Sequence, residues 1–104
     1  MRDLPQVDQQ AVVNTSTSGD NSIVSATSGA ITRVNEMRLT AAGAVTVTVK
    51  RGSTTLDVIQ MVAGVPYILP LRLEPYYRTA ANEAFILNLG GAVAVTGVVS
   101  FTKS

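Results

Sequence analysis

Between Val45 and Lys50 polar and apolar residues alternate without a break: Val45, Val47 and Val49 point one way, Thr46, Thr48 and Lys50 the other. That period of two belongs to a half-buried β-strand, and β-branched valine and threonine fit a pleated surface better than a helix. Upstream, residues 30–39 carry Ile31, Val34, Met37 and Leu39 among Arg33, Glu36 and Arg38, and these apolar positions do not keep one parity. Ile31, Val34, Met37 and Arg38 fall three or four apart, which also fits a helix. The flanking turn residues, Ser28-Gly29 and Ala41-Ala42-Gly43, favour a strand broken by a bulge. Residues 30–49 are therefore predicted as two strands joined by a tight turn, with Gly43 supplying its backbone freedom.

The same pattern extends along the chain. Residues 21–27 (NSIVSAT) predict a short first strand. Residues 55–62, with Leu56, Val58, Ile59 and Met61, predict a strand after the turn Gly52-Ser53-Thr54. Residues 84–90 alternate with Phe85, Leu87 and Leu89 on one face. The last strand presents Val93, Val95, Val99 and Phe101, with Gly97 as a gap in that face. Residues 65–73 (VPYILPLRL) are apolar on both faces and interrupted by Pro66 and Pro70. Proline has no ladder donor, so this stretch is expected at a sheet edge or as an extended crossing segment. Residues 74–78 are expected to form a loop with an aromatic pair. About eight strands separated by Gly-, Pro- or Ser-marked turns predict an all-β fold, a single small β-sandwich or jelly roll over residues 20–104. Val45, Val47, Val49, Phe85, Leu87, Leu89, Val95 and Val99 are its expected core face. GAVTV at 43–47 recurs as GAVAV at 91–95, an echo consistent with a duplicated hairpin plan.

Residues 1–19 break the pattern. They are polar, and only Ala11, Val12 and Val13 form an apolar cluster, too little to offset ordering entropy alone. They are expected to be an extended N-terminal arm, either frayed or ordered on a partner. In the second case Ala11 to Asn14, with Val12 and Val13, would add a strand to an exposed sheet edge. Deleting the arm should then leave the β domain folded.

Composition narrows function more than fold. The chain has 104 residues, enough for one core. Charged residues make up 14% against about 25% for an average soluble domain, so Ser, Thr, Asn and Gly supply the polarity. Such a surface suits packing against neighbours. Net charge is +1 with scattered basic residues, which gives no field for nucleic acid. No signal-peptide pattern and no apolar run near the about 20 residues that span a bilayer are present, so no membrane partner is expected. With no cysteine and no histidine, the chain lacks ordinary Ser–His or Cys–His couples and borderline metal ligands. Nothing pairs its acids for glycosidic work. The expectation is a protein that is not an enzyme and binds no cofactor or metal.

Interaction chemistry is better represented. Tyr67, Tyr76 and Tyr77 lie in the proline-rich region beside Arg72 and Arg78, residue types enriched where proteins touch. With Pro66, Leu71, Val12 and Val13 they are the candidate protein-interface residues. The alternative role for these tyrosines is to cap the core with their hydroxyls in water.

The series Ser28-Gly29-Ala30-Ile31-Thr32-Arg33-Val34, then Leu39-Thr40-Ala41-Ala42-Gly43-Ala44-Val45-Thr46-Val47, resembles small proteins from tailed-bacteriophage structural operons. So do Ala63-Gly64, Leu69-Pro70, Tyr77-Arg78-Thr79-Ala80-Ala81-Asn82-Glu83-Ala84 and the closing Leu87-Asn88-Leu89 to Gly97. The resemblance covers about residues 21–102. It implies a trimeric jelly-roll decoration (cement) protein on the phage head, with the major capsid protein and its own copies (a homotrimer) as partners. The implied location is the virion surface after synthesis in the host cytoplasm. The alternative is a fibre or tail-associated module that binds a receptor or glycan, which would call for a cleft of aromatic and acidic residues.

Overall fold

A computed structural model of the chain describes residues 9–104. Nine strands follow one another: β1 (Gln9–Thr15), β2 (Gly19–Val24), β3 (Thr32–Ala41), β4 (Val45–Arg51), β5 (Thr54–Met61), β6 (Tyr67–Leu69), β7 (Tyr77–Arg78), β8 (Phe85–Leu89) and β9 (Val95–Lys103). They form two antiparallel sheets. One has the order β1-β9-β3-β6, with β7 also paired to β3; the other has the order β2-β8-β4-β5. Here β6 and β7 are two pieces of one edge along β3. With those pieces counted as one strand, the two four-stranded orders are those of a jelly roll. The all-β sandwich expected from the pattern is thus the observed fold.

All eight expected core residues are buried, in one cluster with Val13, Val34, Met37, Leu39, Ile59, Met61 and Phe101. In β3 the parity problem has a physical cause. Pairing with β9 skips from Val34 opposite Phe101 to Glu36 opposite Ser100, so Asn35 is the extra residue of a bulge. Thr32 and Val34 face inward before it; Met37, Leu39 and Ala41 face inward after it. In β9 the gap at Gly97 is required by close approach. A Cβ there would lie 1.7 Å from the Arg38 carbonyl oxygen, at φ +156°.

Two expectations about connections are corrected. The turn after Ala41 does not close a hairpin, because β3 and β4 lie in different sheets. It is a corner between sheets, and the paired hairpin is β4–β5 around Gly52, which has φ +53°. The echoed segment at 91–95 is the corresponding corner from β8 to β9. The two corners pack together: Ala42 N donates to the Ala94 carbonyl at 2.9 Å, and Gly43 lies against Val93. The tyrosine pair expected in a loop instead ends in a short strand. Tyr77 sits opposite Val34 and Arg78 opposite Arg33.

The arm boundary at residue 19 also moves. Gln9–Thr15 pairs with β9 through seven successive residue pairs, from Gln9 opposite Phe101 to Thr15 opposite Val95. Val13 is completely buried and Ala11 packs against the core. One fully buried valine suffices because β9 already presents a template for the backbone, so the segment adds to an existing sheet. Part of the arm, residues 1–8, lies outside the described residues. Deleting residues 1–19 should therefore strip an edge strand from the sandwich, uncover Val99 and lower the melting temperature sharply. Thermal melting by circular dichroism would show this, and an unchanged midpoint would contradict it.

Candidate protein-interaction flank

After β5 the chain leaves the core and runs along one flank, from residue 62 to residue 78. Val62, Val65, Ile68, Leu71 and Leu73 are each 55–60% exposed there. The prolines explain why. Between residues 62 and 73 only Tyr67–Leu69 pairs with β3, with Pro66 before it and Pro70 after it. Outside those three residues the segment lacks a continuous ladder that would fix alternate side chains inward. Clustered exposed aliphatic residues on a small domain mark an interaction surface more often than an accident.

The flank is nevertheless held in place. At the β3 bulge, Asn35 is 2% exposed and its Nδ2 donates to the carbonyls of Arg72 (3.1 Å) and Leu73 (3.2 Å). Arg72 N returns a bond to the Asn35 carbonyl at 3.2 Å, and Tyr76 N donates to the Val34 carbonyl at 2.8 Å. The Arg72 guanidinium stacks over the Tyr76 ring, 3.7 Å from its centroid, while its Nε donates to the Glu74 carbonyl at 2.8 Å. Tyr76 Oη donates to the Pro70 carbonyl at 2.7 Å. The loop from Pro70 to Tyr76 thus bonds to itself and to the bulge, so its leucines project from a fixed backbone.

Tyr77 points the other way. Its hydroxyl donates to Asp57 Oδ2 on β5 at 2.7 Å, and its ring lies 6.0 Å from that of Phe85. Burial, reinforced by the bond to Asp57, raises the Tyr77 pKa well above the ordinary tyrosine range. Tyr77 therefore braces the two sheets across their open side. An open cleft of 640 Å³ lies beside it, lined among others by Arg51, Leu56, Tyr76, Tyr77 and Thr79. A turn at Ala81-Asn82 leads into β8. Asn82 takes the left-handed φ of 68°, and Glu83 Oε1 accepts from Ala80 N (2.9 Å) and Arg51 Nη1 (3.2 Å).

The nine expected interface residues separate into groups. Pro66, Leu71, Arg72 and Arg78 are exposed along the flank, with half-buried Tyr76 beneath Arg72. Tyr67 and Tyr77 are half-buried and pack against the core, and the Tyr77 hydroxyl goes to Asp57 rather than to water. Among the described residues Val12 is the most exposed large hydrophobic residue, at 79%, and lies on the far edge of the same sheet. Val13, its neighbour, is completely buried; adjacent residues on a strand face opposite sides, so it offers nothing to a partner.

Sequence reasoning missed Ile68, Leu73 and the cross-strand pair Arg33–Arg78. Among the described residues neither arginine is within ion-pair distance of a carboxylate. Directly opposed like charges disfavour a strand pair, and an anionic group arriving there would relieve that repulsion. Only the register brings residues 45 positions apart together, so no local signal could have found the pair. Comparison with protein-family models, with curated proteins and with solved structures finds no match for the chain.

Proposed function

We propose that the protein is a non-enzymatic virion structural component: a homotrimeric decoration protein that binds the exterior of a tailed-phage capsid and stabilises the head. The observation that carries this reading is the rigidly held, exposed aliphatic flank from Val62 to Leu73 on a jelly-roll sandwich of low charge. The phage resemblance of the sequence supplies the setting. A shell under internal pressure fails where its subunits separate, and a bound trimer spanning that junction resists the separation. Each contact is modest, but three copies held together combine them through effective concentration. The Arg33–Arg78 pair, which has no carboxylate partner among the described residues, favours a capsid surface that offers carboxylates.

The test is to incubate purified protein with undecorated heads and locate it by electron microscopy. Regular density on the head exterior, lost on Leu71→Asp, is expected; density on the tail, or none, would refute the reading. A second reading, a fibre or tail module for a receptor or glycan, draws on the cleft beside Tyr76 and Tyr77. Two of its polar groups already have partners, Tyr77 with Asp57 and Arg51 with Glu83, while Arg78, which also lines it, has no carboxylate within ion-pair distance among the described residues. Those two pairings leave fewer polar atoms to hold a sugar. Binding to a glycan array that is abolished by Tyr76→Ala would favour this second reading.

A further inference from the structure

The four edges of the two sheets are not protected alike. The β6–β7 edge is interrupted by Pro66, Pro70 and Pro75. The β5 edge carries Asp57 and a register shift against β4 between Val49 and Lys50. The β2 edge carries Asp20 and a register shift against β8 between Ser22 and Val24. Proline, charge and irregular register are the devices that keep an edge from pairing with another chain. β1 has none of them. Its seven residues, QQAVVNT, contain no charge and no proline, and they pair with β9 in unbroken register. Among the described residues no strand pairs with its other side.

The side chains along this edge are self-complementary. Gln10, Val12 and Asn14 are exposed on the outer face, while Ala11 and Val13 face the core. If a second copy of β1 is laid antiparallel on the first with Val12 at the centre, Gln9 falls opposite Thr15 and Gln10 opposite Asn14. Ala11 then falls opposite Val13, and Val12 opposite itself. Directly opposed residues of an antiparallel pair share a face, so on the outer face amide meets amide and valine meets valine, and on the inner face Ala11 meets Val13, with Gln9 opposite Thr15 at the ends. Val98 lies directly beside Val12 on β9. The outer face would therefore carry a continuous strip, Val98–Val12–Val12–Val98, across the junction.

We infer that β1 is a self-association edge, pairing with β1 of a second copy about a two-fold axis through Val12. This goes beyond the capsid reading and does not depend on it. An isologous contact closes in pairs, so in a trimer it would join one trimer to the next rather than close the ring.

The absence of cysteine from the chain makes the register directly testable. Opposed Cα atoms in an antiparallel pair are about 4.5–5.5 Å apart, within the span of about 4.4–6.8 Å that a disulfide bridges. The full-length Val12→Cys protein should therefore cross-link to a two-chain species under mild oxidation, read on a non-reducing gel. Gln10→Cys and Asn14→Cys should each remain single when oxidised alone and should cross-link when mixed. Val58→Cys, exposed on the outer face of the other sheet, serves as the collision control. Sedimentation of an otherwise unaltered Val12→Lys protein should show loss of the β1-paired species, because two like charges would then face each other. Failure of Val12→Cys to exceed the Val58→Cys control would overturn the proposal. So would self-linking of Gln10→Cys, or no linking in the mixture.

Discussion

β4 and the flank from residue 62 to residue 73 are both rich in aliphatic residues, yet they put them to opposite uses. In β4 the apolar residues recur at every second position and all three valines are buried. In the flank they are interrupted by Pro66 and Pro70, and five of them remain more than half exposed. Apolar content is therefore a poor guide to burial here; periodicity backed by a ladder decides it. Asn35 and an Arg72–Tyr76 stack fix that exposed surface, and the proposed function sets it against a partner.

The sharpest way to break this comparison is one substitution in each region. Val47→Asp places a carboxylate among completely buried side chains and should cost several kcal/mol, enough to unfold a domain of this size. Leu71→Asp should leave the melting temperature nearly unchanged while reducing association with undecorated heads. Equal melting losses would mean that the flank belongs to the core.

Gly97→Ala comes next. The added methyl would meet the Arg38 carbonyl and push β9 from β3, costing about 3 kcal/mol or more. Chemical denaturation should show a lowered midpoint, and a neutral result would mean that the strands separate easily. Asn35→Ala tests how the flank is held. It releases the carbonyls of Arg72 and Leu73 and should cost about 1–3 kcal/mol. Faster hydrogen exchange should be confined to residues 70–76, and exchange spread over both sheets would contradict the local role.

The smallest effect at neutral pH belongs to Tyr77→Phe, about 1 kcal/mol from one lost hydrogen bond. Its pH dependence identifies it. The Tyr77 pKa is raised on folding, so its contribution is complete below the unfolded-state value of about 10. It is lost as pH rises from there toward the folded-state value. Denaturation above pH 10 should show a shallower alkaline loss for Tyr77→Phe than for the parent, and parallel curves would remove Tyr77 from the account.

How much was legible depended on how local the cause was. Alternation gave β4, β8 and the core valines, because side-chain direction follows directly from strand geometry. The parity break in β3 announced a bulge, which the register with β9 places at Asn35, and Pro66 with Pro70 announced an edge. The interface candidates were mixed for the same reason: Leu71, Arg72 and Arg78 were named from residue type and are exposed, whereas Val12 and Val13 could not be separated. β1 was hidden because Ala11, Val12 and Val13 form an apolar run within polar sequence. Val13 becomes a core residue only because β9 lies alongside.

The sequence by itself therefore determined that the chain is all-β, where most strands lie and which face of each carries the core, since these depend on neighbours two positions away. Tertiary structure alone decided that the corners after β3 and β8 cross between sheets and that residues 9–15 join one of them. It also decided that Arg33 faces Arg78 and that Tyr77 reaches Asp57. Those contacts join residues far apart in the chain, and their register is set by how two sheets share one core.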